Sequence, residues 1–265
     1  MNTAEKRAEM PKGTQSVLDR RTLEKDNANL LDVLRVGQVV LDVGCGSGSI
    51  TRGIVDRVGP EGYVIGIDVS DQLIKHAQDN FQGIKNLHFE VADINNFSHK
   101  TKFDVITSAR VLQWVANPRE ILEKMKALLK PGGCISILDY NHEKIVFTPD
   151  IPRIAKTFYD AFLKWRKDAG MDNAIADHLQ EMFESIGMQR INIEDHSETS
   201  QKETDTFFDE ISIWKKVAEM RGKQLVADGY LTEADRQSAV SEYQHWMDDE
   251  ARQMKLYLKA VTGYN

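Results

Sequence analysis

Val40-Leu41-Asp42-Val43-Gly44-Cys45-Gly46-Ser47-Gly48 carries an apolar strand into a glycine turn, and a helical pattern opens at Ser49. Glycines at alternate positions let a backbone pass close under a ligand where any Cβ would collide. The N–H groups that open the next helix point at the same place, which suits a nucleotide-like cofactor with an anionic end. Spacing narrows the choice. A dinucleotide fingerprint is written G-x-G-x-x-G. Counted from Gly44, that pattern needs glycine at position 49, where Ser49 stands. The chain reads G-x-G-x-G instead, with an acid, Asp42, two residues before the first glycine.

Outward from this run, strands and helices alternate. Val39–Val43 is apolar, as in a strand covered on both faces. Ile50–Val58 follows as a helix, Tyr63–Ile67 as a strand and Ser70–Phe81 as a helix. Ser70 suits the N-cap and Asp71 the first turn. Leu87–Val91 and Phe103–Thr107 are the next strands. Asn117-Pro118-Arg119-Glu120 opens a helix, with Asn as cap, Pro in the first turn and Glu120 closing a capping box. Its apolar stripe is Ile121, Leu122, Met125, Leu128 and Leu129, and Pro131-Gly132-Gly133 stops it. Cys134–Tyr140 is the fifth strand. Such alternation predicts an α/β fold with a doubly wound, mostly parallel sheet.

With these motifs in place, the chain resembles the class I S-adenosylmethionine (SAM) dependent methyltransferases. Asp42-Val43-Gly44-Cys45-Gly46-Ser47-Gly48 matches their first motif. Gly66-Ile67-Asp68-Val69-Ser70, Val91-Ala92-Asp93-Ile94, Phe103-Asp104-Val105-Ile106 and Leu129-Lys130-Pro131-Gly132-Gly133 follow in order. The resemblance covers about residues 30–142 and implies a Rossmann-like sheet of seven strands with an antiparallel last strand. Within it, the closest likeness is to ubiquinone/menaquinone-type and other small-metabolite methyltransferases.

The second half carries more than that sheet needs. Residues 149–170 have a helical stripe of Ile151, Ile154, Phe158, Phe162 and Trp165. Asp177–Ile186 is a helix ended by Gly187. Ile191–Ile193 fits a sixth strand, and Met254–Val261 alternates as the seventh. Between them lie Phe207, Phe208, Ile211, Trp214, Val217 and Ala218 on one helical face. Thr232-Glu233-Ala234-Asp235 resembles a capping box opening another helix. One domain, 1–265, is expected: an N-terminal helical segment 1–37, a SAM-binding core 38–142, and helical cap insertions at 143–173 and 197–250. Residues 174–196 and 251–265 complete the core. The cap would lie over the strand ends where ligands of open α/β sheets bind. The alternative is that these helices complete the core or pair with a second subunit as a homodimer.

Site residues follow. Gly44, Cys45, Gly46 and Gly48 would approach the methionine portion of SAM. By resemblance, Asp42 hydrogen-bonds near its amino group. Asp68 ends the second strand, where a carboxylate can accept both ribose hydroxyls. Val69 would lie against the adenine, with Asp93 and the Ile94 N–H at its edge. Ser108, Ala109 and Arg110 follow the fourth strand and should touch the sulfonium end. Arg110, a cation there, is expected to face the substrate, a carboxylate or solvent. Of Arg20 and Arg21, Arg21 is the candidate for the SAM carboxylate. Candidate bases stand just past the fifth strand in Asp139-Tyr140-Asn141-His142; His142 has the intrinsic pKa of a general base, and Tyr140 could line the pocket. Trp114 and Trp214 are candidates for the wall of a flat or apolar substrate pocket.

Composition agrees with a single globular enzyme. With 41% hydrophobic and 28% charged residues, the chain is ordinary for a globular protein. No apolar run approaches the roughly 20 residues of a membrane span. Met1–Gly13 lacks the apolar core of a signal peptide, and two cysteines make no disulfide framework, so a cytoplasmic setting is expected. A net charge of −7 argues against a nucleic-acid partner. Lys156, Lys164, Arg166 and Lys167 cluster in one predicted helix, and their bland reading is a solvated face. The histidines lack ligand spacing, so no metal is expected. The expected activity is methyl transfer from SAM to a small-molecule acceptor. Rivals are an RNA or protein methyltransferase and a non-catalytic SAM-binding protein.

Overall fold

The computed structural model describes residues 3–9 and 15–265. Its eight-stranded sheet has β1 (Val39–Val43), β2 (Tyr63–Asp68), β3 (Leu87–Val91), β4 (Phe103–Ala109), β5 (Leu129–Thr148), β6 (Gln189–Asp195), β7 (Glu198–Gln201) and β8 (Gln253–Tyr264). The spatial order is β3-β2-β1-β4-β5-β8-β6, and β7 pairs with β8 beyond β6. Strands β1 to β5 are mutually parallel, while β8 runs antiparallel to β5, β6 and β7. The fold is therefore the expected mixed, Rossmann-like one, with one strand more than the seven expected. The extra strand, Glu198-Thr199-Ser200-Gln201, is short and polar. An edge strand of that kind has no apolar alternation to betray it.

Along β1, alternate side chains enter opposite layers. Val40 joins Val64 and Val105 in a core with Leu23, Leu30 and Ile54. Leu41 joins Ile65 and Ile106 in the larger core under Leu122, Met125, Leu179 and Phe183. Helices α1 (Thr3–Ala8), α2 (Gln15–Leu18) and α3 (Leu23–Asp26) precede β1, and α4 (Ser49–Val58) and α5 (Asp71–Asn80) cross between the first strands. The Ser70 hydroxyl accepts from the Leu73 N–H at 3.3 Å, so α5 is capped as its sequence predicts. Pro118 opens α6 (Pro118–Leu128), but the Asn117 side chain makes no capping bond.

The main departure from expectation is the length of β5. It pairs with β4 as far as Ala109↔Leu138 and then continues beyond the end of β4. Past a register break between Asn141 and Val146 it still pairs with β8 to Thr148↔Gln253. The two strands thus form an antiparallel arm that outruns the parallel sheet, and β7 adds a third strand to it. A second core packs around this arm. It joins α7 (Arg153–Lys167), α9 (Phe207–Ile211), α10 (Ile213–Met220), α11 (Gly222–Ala227) and α12 (Glu233–Asp249) through Phe162, Phe207, Trp214, Leu225, Tyr243 and Trp246. Helix α7 starts at Arg153 rather than 149. Pro149 and Pro152 bias the residues before them to extended backbone. Helix α8 (Ile175–Ser185) returns to the main core.

Candidate active site

The glycine turn crosses the C-terminal end of β1. Gly44 and Gly48 have φ of 75° and 80°, a region costly for a side chain. The Cβ that glycine lacks would meet Val111 at Gly44, and the Phe89 ring at 2.5 Å at Gly48. At Gly46 the nearest neighbour would be Leu18, at 3.2 Å. The glycines are thus required by backbone and packing of this chain, a reason the motif alone does not disclose. Cys45 sits half-buried in the same turn, and burial pushes its thiol well above the ordinary range.

Two carboxylates flank the turn. Asp42 is buried and accepts from the Thr51 hydroxyl at 2.6 Å. Burial pushes its pKa up to about 6, against the Thr51 bond. Asp68, at the end of β2, accepts from the Gly46 N–H at 3.0 Å and the Ser70 N–H at 2.9 Å. Its pKa is raised by burial, with those N–H groups pulling the other way. One carboxylate thereby ties the glycine turn to β2 and keeps further lone pairs for a ligand. Beside it, Val69, just past the buried β2, is 72% exposed, and Val91, the last residue of β3, is 46% exposed. These open valines and fixed acids fit a cofactor with a flat ring and hydroxyl groups. The Asp93 carboxylate accepts from the Asn95 N–H at 2.9 Å in a turn of its own, and Ile94 is buried in the main core.

The β4 side is different. Ser108 and Ala109 lie inside β4 rather than after it, and the Ser108 hydroxyl donates to the Val43 carbonyl at 2.8 Å. Arg110 has φ of 62° and is buried, which is rare for a side chain this large. Of the three outcomes open to it, it faces a carboxylate. Its guanidinium pairs with Glu198 of β7, donates to the Tyr140 hydroxyl at 2.8 Å and to the Asp26 carbonyl at 2.6 Å. Arg21 lies against this group. Its pKa is lowered by burial and then by the Arg110 charge, and its guanidinium forms no hydrogen bond or ion pair among the described residues. Arg20 instead pairs with Asp209 at 3.1 Å on the surface.

Tyr140 and His142 are within β5, not past it, because β5 runs to Thr148. They overhang the end of β4, with rings stacked at 5.2 Å. Burial raises the Tyr140 pKa. His142 is pushed well below its ordinary value by burial and by Arg166, which opposes the general-base role expected for it. Its Nε2 lies 2.5 Å from Gln113 Oε1. Trp114 stands between the Arg166 and Arg221 guanidiniums, at 4.5 and 4.7 Å. Trp214 meets Tyr159 edge-on at 4.6 Å and touches His142. It also lines a narrow apolar cleft with Phe147, Ile151, Phe158, Tyr159 and Tyr243. Among the described residues no cluster of metal-ligating side chains occurs.

Sequence reasoning passed over Gln113 and Glu198. Arg166 is fully buried rather than part of a solvated face. The signal was its spacing, eight residues after Phe158 and four after Phe162, on the inward stripe of α7. Asp139 is buried, accepts from the Gln113 N–H at 3.1 Å, and is pushed up to about 6 by burial.

Comparison with known proteins places the chain. A family model described as a methyltransferase domain matches residues 34–221. Phosphoethanolamine N-methyltransferase 3 of Arabidopsis thaliana is 32% identical over 61% of this chain and 34% of its own length. The ubiquinone/menaquinone biosynthesis C-methyltransferase UbiE of Ectopseudomonas mendocina is 31% identical over 60% of this chain and 61% of its own. The chain spans between 34% and 45% of the length of the first curated relatives it matches. A phosphoethanolamine N-methyltransferase of Haemonchus contortus, solved with S-adenosylhomocysteine, shares the fold. Its TM-score is 0.57 at 17% identity, over 90% of this chain and 52% of that one.

Proposed function

The chain belongs to the methyltransferase-domain family, and we propose that it transfers a methyl group from SAM to a small-molecule acceptor. The observation that carries this is the Asp68 carboxylate, fixed by the Gly46 and Ser70 N–H groups beside an open Val69. Asp68 would take the ribose hydroxyls, and Val69, Asp93 and Ile94 the adenine. Asp42 and the turn Gly44–Gly48 would take the methionine portion. Ser108, Ala109 and Arg110 lie on the side of the methyl group, with Arg21 free to take a carboxylate.

Bound there, SAM supplies a methyl group already activated by its sulfonium. What remains for the protein is to align the acceptor and keep water out. The β5–β8 arm and the helices around it serve that purpose, as a cap over the ends of β4 and β5. Trp114, Trp214, Tyr140 and His142 line the acceptor side in this reading. The net charge of −7 favours a small molecule over a nucleic acid. The relatives bear names of small-molecule methyltransferases with unlike acceptors, so the acceptor follows from none of them. No helix of the described residues is long and apolar enough to cross a membrane.

Calorimetric titration with SAM, S-adenosylhomocysteine and NADH tests the cofactor. Micromolar binding of the first two and none of NADH is expected. A folded protein that ignores both SAM species would overturn the proposal. Transfer from methyl-labelled SAM to small molecules, against RNA and protein, then tests the acceptor class.

A further inference from the structure

Four residues from four places in the fold close a ring of hydrogen bonds at the overhang of β5. His142 in β5 donates its backbone N–H to the Asn173 carbonyl at 2.7 Å. Arg166 in α7 donates through Nε to Asn173 Oδ1 at 2.8 Å. The same guanidinium donates to the Gln113 carbonyl at 2.8 Å and to Gln113 Oε1 at 3.3 Å. Gln113 Oε1 lies 2.5 Å from His142 Nε2, which completes the ring. All four residues are buried.

The chemistry of this ring decides the state of the imidazole. The Gln113 amide nitrogen donates to the Arg110 carbonyl at 3.2 Å, so the amide oxygen must face His142. An amide oxygen only accepts, and therefore His142 Nε2 carries the hydrogen. Nδ1 then keeps the lone pair, and it has no hydrogen-bond partner among the described residues. The hydrogen bonds of Arg166 go only to neutral oxygens, and its positive charge still acts on the ring. The other groups around His142 are Tyr140, Tyr159, Phe162 and Trp214. None of these supplies an anion. Asp139 faces Arg166 and the Gln113 N–H rather than the imidazole.

We propose that Gln113 is a positioning residue that, with Arg166, holds His142 as an uncharged ring whose Nδ1 accepts from an O–H or N–H group of the acceptor. This rests on the methyltransferase reading. The acceptor is then a molecule whose hydrogen-bearing group docks at the overhang of β5, against the Tyr140 and Trp214 rings. His142 orients that group and takes no proton.

Nitrogen-15 NMR of the full chain reads this directly, with His142→Gln used to assign the ring signals. In the wild type His142 should show the neutral Nε2–H form, unchanged between about pH 5 and pH 8. Gln113→Glu would place a carboxylate at Nε2, and the ring should then bind a proton at least tenfold more tightly. Gln113→Met, close in volume, should mix the two neutral tautomers while the fold is kept. A wild-type ring that titrates near its ordinary value, or carries its hydrogen on Nδ1, would overturn the proposal. So would an unchanged His142 signal in either Gln113 variant. SAM titration of the same samples separates the two readings. Loss of SAM binding in the wild type would remove the methyltransferase, whereas the tautomer and its response to Gln113 stand or fall on the NMR alone.

Discussion

The two sides of the crevice bury different charges. On the β1–β2 side they are carboxylates, the buried Asp42 and the half-buried Asp68, held by a hydroxyl and by backbone N–H groups. On the β4–β5 side they are chiefly guanidiniums, Arg110 and Arg166, held by Glu198, amides and aromatic rings, beside one buried carboxylate, Asp139. A buried charge costs free energy unless its surroundings answer it. The first side answers with local backbone, from a turn that follows the strand directly. The second answers with partners far away in sequence, such as Glu198, 88 residues from Arg110. The lesson is that the side proposed for the cofactor is written in a short motif, while the side proposed for the acceptor is assembled from distant pieces.

Several substitutions would sharpen or break this contrast. The largest effect is expected in the aromatic core of the second side. Phe162 packs against Trp114, His142, Tyr159, Trp165 and Trp214. Phe162→Ala should lower unfolding free energy by about 3–5 kcal/mol in urea titrations. SAM affinity of the folded fraction should stay within about threefold; a larger loss would mean that the two sides are not separable. Gly48→Ala acts on the first side, where φ is 80° and Phe89 lies in the path of a Cβ. It should cost about 2–4 kcal/mol and weaken SAM binding as well.

Asp42→Asn should work in the opposite direction. The folded-state pKa is raised to about 6, above the unfolded carboxylate value of about 4, so the native state binds the extra proton. The stability this gives is present in full below about pH 4 and is lost as pH rises through about 6. Removing the charge should therefore stabilise the protein by about 1–3 kcal/mol at pH 7, with no gain below about pH 4. Thermal melts of both proteins across that range check the sign. Weaker SAM binding in the stabler variant would show a charge kept for its ligand. Asp68→Ala should reduce SAM affinity about tenfold or more by calorimetry, through lost hydrogen bonds to a charged acceptor. The smallest effect belongs to Arg20→Ala. Arg20 and Asp209 have side-chain exposures of 68% and 71%. Such a pair is worth under about 0.5 kcal/mol, so melts should hardly move.

Much of the first side was legible. The strand, turn and helix of residues 39–58 follow from an apolar run, a glycine run and a helical period. Ser70 was legible as a cap because capping is a local bond. The last strand was legible from its alternation, and its antiparallel sense from the family resemblance. The true end of β5 was not, because Asn141–Thr148 mixes polar and apolar residues around a register break and takes its conformation from β8. Strand β7 was missed because its residues are polar, and the Asn117 cap failed because a capping residue type does not ensure the bond.

The sequence by itself determined the fold family and the cofactor side, because those depend on backbone conformations set by neighbours in the chain. Only the tertiary structure decided that Arg110 faces Glu198, that Arg166 lies inside, and that His142 is held by Gln113 within an extended β5. Hydrogen bonds between residues tens of positions apart leave no period and no motif. They come into being when separate elements pack together and each buried polar group must find its partner.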